Sequence, residues 1–86
     1  MDQLVVTLCD RRTGKQFDIE VPAGLDVGHL LDDIAQALQG LDPSVYWNLP
    51  DMWIRSVRNQ VYLQKDSSLY EQGVWNGDYL EVGDSF

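Results

Sequence analysis

An apolar stripe with helical spacing constrains the fold of this chain more than any other feature of its sequence. The stripe consists of Val27, Leu30, Leu31, Ile34, Ala35 and Leu38. Because the residues recur at i, i+3, i+4 and i+7, they line one face of a helix, and that face must be covered by another element. Asp26 is a suitable N-cap residue, and Gly40 is a suitable residue to end a helix. We therefore predict a helix from about residue 26 to residue 40.

Two alternating segments precede this stripe and predict a β-hairpin. In residues 3–9 and 16–22, apolar side chains occupy every second position, which is the pattern of a strand with one buried face. The polar stretch 10–15 contains Gly14 and has the character of a hairpin loop. Pro22 removes a backbone donor and is expected to end the second strand.

The remainder of the chain predicts shorter elements. Residues 41–51 form a connection with a short helical turn, residues 52–58 and 60–64 form two strands around Asn59, and residues 67–72 form one helical turn. Asn76-Gly77 is a strong turn signal and leads into a last strand at residues 79–82. The predicted order is β-β-α-β-β-turn-β. It indicates an α+β fold, with a mixed sheet of about five strands packed on one helix, in a single domain over residues 1–86.

The charge balance excludes several classes of function. The chain has 14 acidic and 6 basic residues among 86, a formal net charge of −8, so it repels nucleic acid and anionic membrane surfaces. We expect no nucleic-acid partner and no insertion into a membrane, since no apolar run approaches the roughly 18 residues of a membrane span. The first ten residues lack the pattern of a secretory signal peptide. The expected location is the cytoplasm.

Residues that could carry catalysis are sparse. His29 is the only histidine and lies in the first turn of the predicted helix, so no second imidazole and no cysteine pair exist to hold a metal. Cys9 is the only cysteine, and no histidine near it in sequence could act as its base. Asp32 and Asp33 point about 100° apart on a helix. We therefore predict a protein that is not an enzyme and has no cofactor.

Two long segments resemble one bacterial family. FDIEVPAGLDVGHLLDDIAQAL, residues 17–38, resembles the second strand, loop and helix of the YukD/EsaB family of ubiquitin-like proteins associated with type VII secretion. WIRSVRNQVYLQKDSSLYEQGVWNGDYLEV, residues 53–82, resembles that family's aromatic-Ile-Arg strand, short polar turn, Leu-x-x-x-Gly stretch and closing Asn-Gly-Asp-x-Leu-Glu. The resemblance implies a ubiquitin-like β-grasp fold.

The resemblance also implies a function. It points to a noncovalent adaptor or regulatory component in the export of small helical WXG-type substrates. The membrane ATPase or another membrane component of the secretion system is the implied partner. The protein would then be cytoplasmic and held at the inner face of the membrane through protein partners. A ubiquitin-like interaction domain of another pathway is the alternative, and a covalent modifier or sulfur carrier is a further one.

Two departures from ubiquitin bear on these alternatives. Ubiquitin ends in an Arg-rich tail with Gly-Gly, whereas this sequence ends in Val82-Gly83-Asp84-Ser85-Phe86, so we expect no conjugation. Because the sequence stops at Phe86, we expect the stand-alone form of the family, although a chain cut from a longer membrane protein stays open. Arg55 falls near the Ile at the centre of ubiquitin's receptor-binding patch, so that patch is expected to be absent.

Basic and aromatic residues are the candidates for a protein-interaction surface. Five of the six basic residues lie in two segments: Arg11, Arg12, Lys15, Arg55 and Arg58. In a ubiquitin-like fold we expect them to gather at one end of the sheet, where arginine suits acidic partners. Trp53 and Trp75 are the aromatic candidates, with Trp53 partly exposed on the outer face and Trp75 over the rim. Trp47 is expected to cap the core. An open strand edge could also pair with another chain.

Overall fold

In a computed structural model, the chain forms one five-stranded mixed sheet with a helix across one face. The structure describes residues 3–44 and 46–84. The elements are β1 (Gln3–Asp10), β2 (Gln16–Pro22), α1 (Val27–Leu41), a short 3₁₀ helix (Leu49–Asp51), β3 (Trp53–Ser56), β4 (Val61–Tyr62) and β5 (Tyr79–Gly83). The predicted α+β architecture is confirmed. The expectation about the tail falls partly on Ser85 and Phe86, which lie outside the described residues.

The strand order determines which loops share an end of the sheet. The order is β2-β1-β5-β3-β4, and β1 and β5 are the one parallel pair among the described strands. β1 and β2 form the predicted antiparallel hairpin, from Gln3 opposite Pro22 to Cys9 opposite Gln16. β3 runs antiparallel to β5, with Trp53 opposite Gly83 and Ser56 opposite Leu80. β2 and β4 therefore form the two edges.

The core lies between the inner face of the sheet and the apolar stripe of α1. The six stripe residues predicted from the sequence are all buried. The strands oppose them with side chains at alternate positions: Leu4, Val6, Leu8, Val21, Ile54, Leu80 and Val82. Trp47 joins this core with 3% of its surface exposed, as predicted. The same alternation sends charged side chains to the outer face.

α1 begins at the predicted position but ends later than predicted. Asp26 is the N-cap residue, but its side chain makes no capping hydrogen bond. The loop before Leu69 supplies the acceptors instead, because the N–H groups of Val27 and Gly28 donate to the carbonyls of Ser67 and Lys65 at 3.0 and 2.9 Å. At the other end, the prediction that Gly40 ends the helix is wrong, since the helix continues through Leu41.

The second half of the chain has shorter strands than predicted. β3 and β4 contain four and two residues, and a turn at residues 57–60 separates them, in which Gln60 has a positive φ of 57°. Residues 69–73 form turns, and the N–H of Gln72 donates to the carbonyl of Ser68 at 3.2 Å. The predicted turn before the last strand is present, with Gly77 at φ +87°. β5 then completes the centre of the sheet.

Candidate protein-interaction surface

Trp75 lies in the loop before β5 and is the tryptophan that the surface presents most openly among the described residues. It exposes 64% of its surface. The guanidinium carbon of Arg58, which follows β3, lies 3.9 Å from the centroid of the indole ring. A guanidinium stacked on an aromatic face is attracted to the π-electrons and restricts the ring's orientation. Trp75 is therefore an exposed aromatic side chain that is held in place before any partner binds.

Asp78 fixes this loop from the interior. Its carboxylate accepts two hydrogen bonds from Arg58, Nε to Oδ1 at 2.8 Å and Nη2 to Oδ2 at 3.0 Å. Oδ2 also accepts from the backbone N–H of Trp75 at 2.9 Å, and Arg58 Nη2 donates to the carbonyl of Gly73 at 2.6 Å. These bonds from Arg58 lower the pKa of Asp78, against the opposing effect of burial, and raise the pKa of Arg58. Both groups stay charged at neutral pH, so the loop stays tied to the end of β3.

Arg12 joins three segments at the opposite end of the sheet. Its Nη1 donates to Asp84 Oδ2 at 3.0 Å and to the carbonyl of Tyr46. The guanidinium carbon lies 4.8 Å from the centroid of the Trp47 ring. These contacts connect the first hairpin loop to the connection after α1 and to the residue after β5. Arg12 is therefore engaged within the fold and leaves little of its charge for a partner.

Arg11 and Arg55 share one carboxylate on the outer face. Glu81 Oε1 lies 3.6 Å from Arg11 Nη1 and 3.9 Å from Arg55 Nη1. The side chain of Arg11 is 61% exposed, whereas that of Arg55 is 27% exposed. Lys15 is exposed in the same hairpin loop and has no carboxylate of a described residue within 4.0 Å. Arg11 and Lys15 are thus the accessible cations at this end.

The prediction that five basic residues gather at one end of the sheet is wrong. β3 begins beside the hairpin loop, where Trp53 pairs with Gly83, and then runs away from that loop because it is antiparallel to β5. Arg58 follows β3 and consequently lies at the far end, against Asp78. The structure brings Arg11, Arg12 and Lys15 together, places Arg55 beside them on the outer face, and separates Arg58 from all four.

The predicted partial exposure of Trp53 is also wrong, although its outward direction is right. Trp53 exposes 7% of its surface while lying outside the core cluster. Three neighbours cover the ring: Tyr62 packs edge-on at 5.4 Å between centroids, the guanidinium carbon of Arg11 lies 6.0 Å from the centroid, and the backbone of Gly83 lies against it. A Cβ built on Gly83 would lie 2.4 Å from Trp53 Cζ2. The alternation of residues in a strand predicts which face of the sheet a side chain lies on, but it does not predict which neighbouring side chains cover it.

Two apolar grooves were not anticipated from the sequence. One of about 200 Å³ runs between the open edge of β2 and α1, and its lining includes Ile19, Val21, Leu25, Leu30, Ile34 and Ala37. The other, of about 210 Å³, lies between the hairpin loop and the end of α1, and its lining includes Lys15, Phe17, Leu38, Leu41, Asp42 and Trp47. The sequence indicated only that a sheet of this kind has open edges. It did not show which strands form those edges or that a groove lies beside one of them.

The residues considered for catalysis lie apart from one another. His29 is an exposed helix residue whose Nδ1 lies 4.0 Å from Asp26 Oδ2. Cys9 is a free, half-buried thiol on the outer face, and its hydrogen bond with Tyr79 raises the pKa of that phenol. Over residues 3–44 and 46–84, no three His, Cys, Asp or Glu side chains come together in a group that could hold a metal ion.

Comparison with protein families identifies the group to which this fold belongs. The family model described as "WXG100 protein secretion system (Wss), protein YukD" matches residues 4–82. The chain belongs to the YukD family. The resemblance seen in residues 17–38 and 53–82 is thereby confirmed, and the chain is a ubiquitin-like domain of a family associated with type VII secretion. No curated protein matches the chain in sequence.

Solved structures confirm the ubiquitin-like β-grasp fold of this YukD family member. The EccD5 ubiquitin-like domain from Mycobacterium xenopi has a TM-score of 0.75 at 19% identity, over 96% of this chain and 94% of that one. Caldiarchaeum subterraneum ubiquitin has a TM-score of 0.72 at 14% identity, over 93% and 90%. A chain of the MycP5-free ESX-5 inner membrane complex has a TM-score of 0.79 at 19% identity, over 96% of this chain but 21% of that chain. At these identities the likeness concerns the fold alone.

Among the described residues, none of the helices combines the length and the apolar character that crossing a bilayer requires.

Proposed function

We propose that this protein is a noncovalent accessory component of a WXG100-type secretion system and acts by docking to another protein of that machine, without catalysis. The observation that carries the proposal is the match of the YukD family model to residues 4–82. A similar domain occurs within a chain of the ESX-5 inner membrane complex. This likeness supports a membrane component of the system, such as its ATPase, as the class of partner. The protein would work in the cytoplasm, at the inner face of the membrane.

The docking contact that we propose is centred on Trp75. Tryptophan and arginine are enriched among the residues that dominate binding energy, and both are most effective when little freedom is lost on binding. Trp75 is 64% exposed, and the stacked Arg58 and the Asp78 hydrogen bonds already hold it. At the other end of the sheet, we propose Arg11 and Lys15 as a secondary contact for acidic side chains of the partner.

The test is affinity purification of the tagged protein from a host that carries such a secretion system, under native and denaturing conditions in parallel. We expect secretion-system proteins in the native sample alone. Trp75→Ala should reduce their recovery by more than about tenfold, as loss of a central aromatic contact does. The matched control is Tyr70→Ala, which removes an aromatic side chain that is 74% exposed.

Two outcomes would contradict the proposed accessory role, and a third would contradict the proposed docking contact. Adducts that survive denaturation would indicate a covalent modifier. Native partners unrelated to secretion would favour an interaction domain of another pathway. Equal recovery with Trp75→Ala and Tyr70→Ala would remove Trp75 from the docking surface while leaving the accessory role in place.

A further inference from the structure

The two edges of the sheet differ in their capacity to accept another strand. β4 has two residues, whereas β2 has seven, and no described residue outside β1 pairs with β2. The N–H of Thr7 in β1 donates to the carbonyl of Asp78, the residue before β5, and the N–H of Arg11, the residue after β1, donates to the carbonyl of Val82 in β5. Since these odd-numbered residues bond toward β5, the alternate residues of β1 bond to β2. The N–H and C=O groups of Asp18 and Glu20 therefore point outward from the edge. The two N–H and two C=O groups of these two residues are available to a strand laid beside β2.

The groove next to this edge would receive one face of such a strand. A strand added to β2 directs alternate side chains toward α1, where the groove of about 200 Å³ lies. Ile19 and Leu25 are only partly buried against the core, and Ala37 of α1 is exposed at the far wall. An apolar side chain from the added strand would remove these surfaces from water. A strand that fits this edge would therefore carry apolar side chains at its inward positions.

The other face of the added strand would meet carboxylates. The side chains of Asp18 and Glu20 are exposed on the outer face of the edge strand. Asp33 of α1 lies on the other side, at the groove, and adds a further negative charge near this edge. A second copy of this chain would place the same acidic edge against its own, so self-pairing is disfavoured. The outward positions of a compatible partner strand carry Lys or Arg. The net charge of −8 attracts such a segment from a distance as well.

We infer that the edge of β2 and its groove bind an extended peptide segment of a partner protein in which apolar residues alternate with Lys or Arg. Main-chain hydrogen bonds to Asp18 and Glu20 extend the sheet by one strand, the apolar side chains fill the groove, and the basic side chains pair with the edge carboxylates. The inference deepens the proposed docking role, because it supplies a second surface and the chemistry of its ligand. It also separates this surface from the one around Trp75.

The test uses the whole protein and synthetic peptides. The probe is a peptide of about eight residues, an ordinary strand length, in which Lys alternates with Val and Ile. A scrambled peptide with all its Lys residues at one end has the same charge without the alternation. We expect the alternating peptide to bind at least about tenfold more tightly than the scrambled one. Its binding should shift the amide NMR signals of Asp18 and Glu20 and protect those amides from exchange.

A pair of helix variants locates the site. Ala37→Lys places a cation at the groove and should weaken the alternating peptide by about tenfold or more. Gln36→Lys makes the same charge change at an exposed position about 100° around the helix and should have little effect. Glu20→Lys should weaken the Lys peptide and strengthen one in which Glu replaces every Lys.

The inference is overturned if the two peptides bind equally, if Ala37→Lys and Gln36→Lys behave alike, or if the shifted amides lie near Trp75 or the hairpin loop. Because these measurements use purified protein, a negative result would leave the recovery of secretion-system proteins from cells unaffected. Conversely, loss of that recovery would not change peptide binding. The two failures are therefore distinguishable.

Discussion

Asp78 shows how a single carboxylate can determine the shape of a docking surface. It is almost fully buried, with 7% of its side chain exposed, and is satisfied by Arg58 and by the N–H of Trp75. A buried charge without partners would be strongly unfavourable, so these contacts are required as a set. The exposed position of Trp75 consequently depends on the negative charge of Asp78.

The stability of the protein should depend on pH through Asp78. Its native pKa lies below the ordinary value of 3.8, so the unfolded chain takes up a proton at higher pH than the native protein does. The stabilisation is fully present above the unfolded value and is lost as the pH falls through the lower native value. Asp78→Asn should cost about 1–3 kcal/mol at pH 7. The difference in melting temperature should stay constant from pH 7 to 5 and shrink below about pH 4.

Thermal melts by circular dichroism from pH 7 to 2.5 measure this difference. Asp66→Asn is the matched control, since it makes the same charge change at an exposed position. We expect it to melt within about 2–4 °C of the parent, as surface substitutions generally do. A gap between parent and Asp78→Asn that persists unchanged to pH 2.5 would contradict the role given to the Asp78 charge.

At the scale of elements, the sequence predicted the secondary structure that follows from periodicity, but not the contacts made by residues that are remote in sequence. The alternation in residues 3–9 and 16–22 and the helical stripe gave the hairpin, the helix and the buried face, because each pattern is local. Asp26 is the N-cap residue of α1 as predicted, but the acceptors for the N–H groups of Val27 and Gly28 come from a loop about 40 residues later, which a local pattern does not show. Likewise, Trp53 is covered by Tyr62, Gly83 and Arg11, which are remote in sequence.

The pairing of β3 with β5 should tolerate no side chain at position 83. A Cβ on Gly83 would lie 2.4 Å from Trp53 Cζ2 and 2.8 Å from Cε2, so the indole must shift. Trp53 is buried between its neighbours, and forcing such a shift typically costs about 1–3 kcal/mol. Gly83→Ala should therefore lower the midpoint of urea unfolding. It should also change Trp fluorescence in the native state.

Gly24→Ala provides the comparison for this prediction. A Cβ on Gly24 meets nothing within 4 Å, and its φ is not in the left-handed region, so alanine should fit without strain. The substitution should be neutral or stabilising by up to about 1 kcal/mol, through the entropy of the unfolded chain. If Gly83→Ala and Gly24→Ala had the same unfolding midpoint, the close packing of Trp53 on β5 would be refuted.

At the scale of the whole molecule, topology decides how a small number of positive charges is distributed over an acidic body. β3 runs antiparallel to β5 and so leads the chain away from the hairpin loop. Arg55 in β3 therefore lies beside Glu81, whereas Arg58, after β3, lies beside Asp78 at the far end of the sheet. The four arginines pair with three carboxylates, Asp78, Glu81 and Asp84. Among residues 3–44 and 46–84, most of the other acidic side chains have no Lys or Arg nitrogen within 4.0 Å. The open edge of β2 is one place where this excess of negative charge is concentrated.

The excess of negative charge predicts that salt stabilises the native state at pH 7. A net charge of −8 on a molecule with a radius of gyration of 11.8 Å produces repulsion that folding increases and salt screens. The Debye length is about 30 Å at 0.01 M ionic strength and falls below about 10 Å above 0.1 M, so the repulsion reaches across the molecule only at low salt. The melting temperature should rise between 0.01 and about 0.5 M NaCl, by a few degrees.

Removing charge should reduce this rise. The double variant Asp32→Asn, Asp66→Asn has a formal net charge of −6, because two carboxylates are lost from −8. Its melting temperature should be higher than that of the parent at low salt and should approach it at high salt. If the melting temperature instead fell with salt in both proteins, the arginine ion pairs would outweigh the repulsion. The acidic surface would then attract a basic partner strand without lowering the free energy of unfolding of the protein.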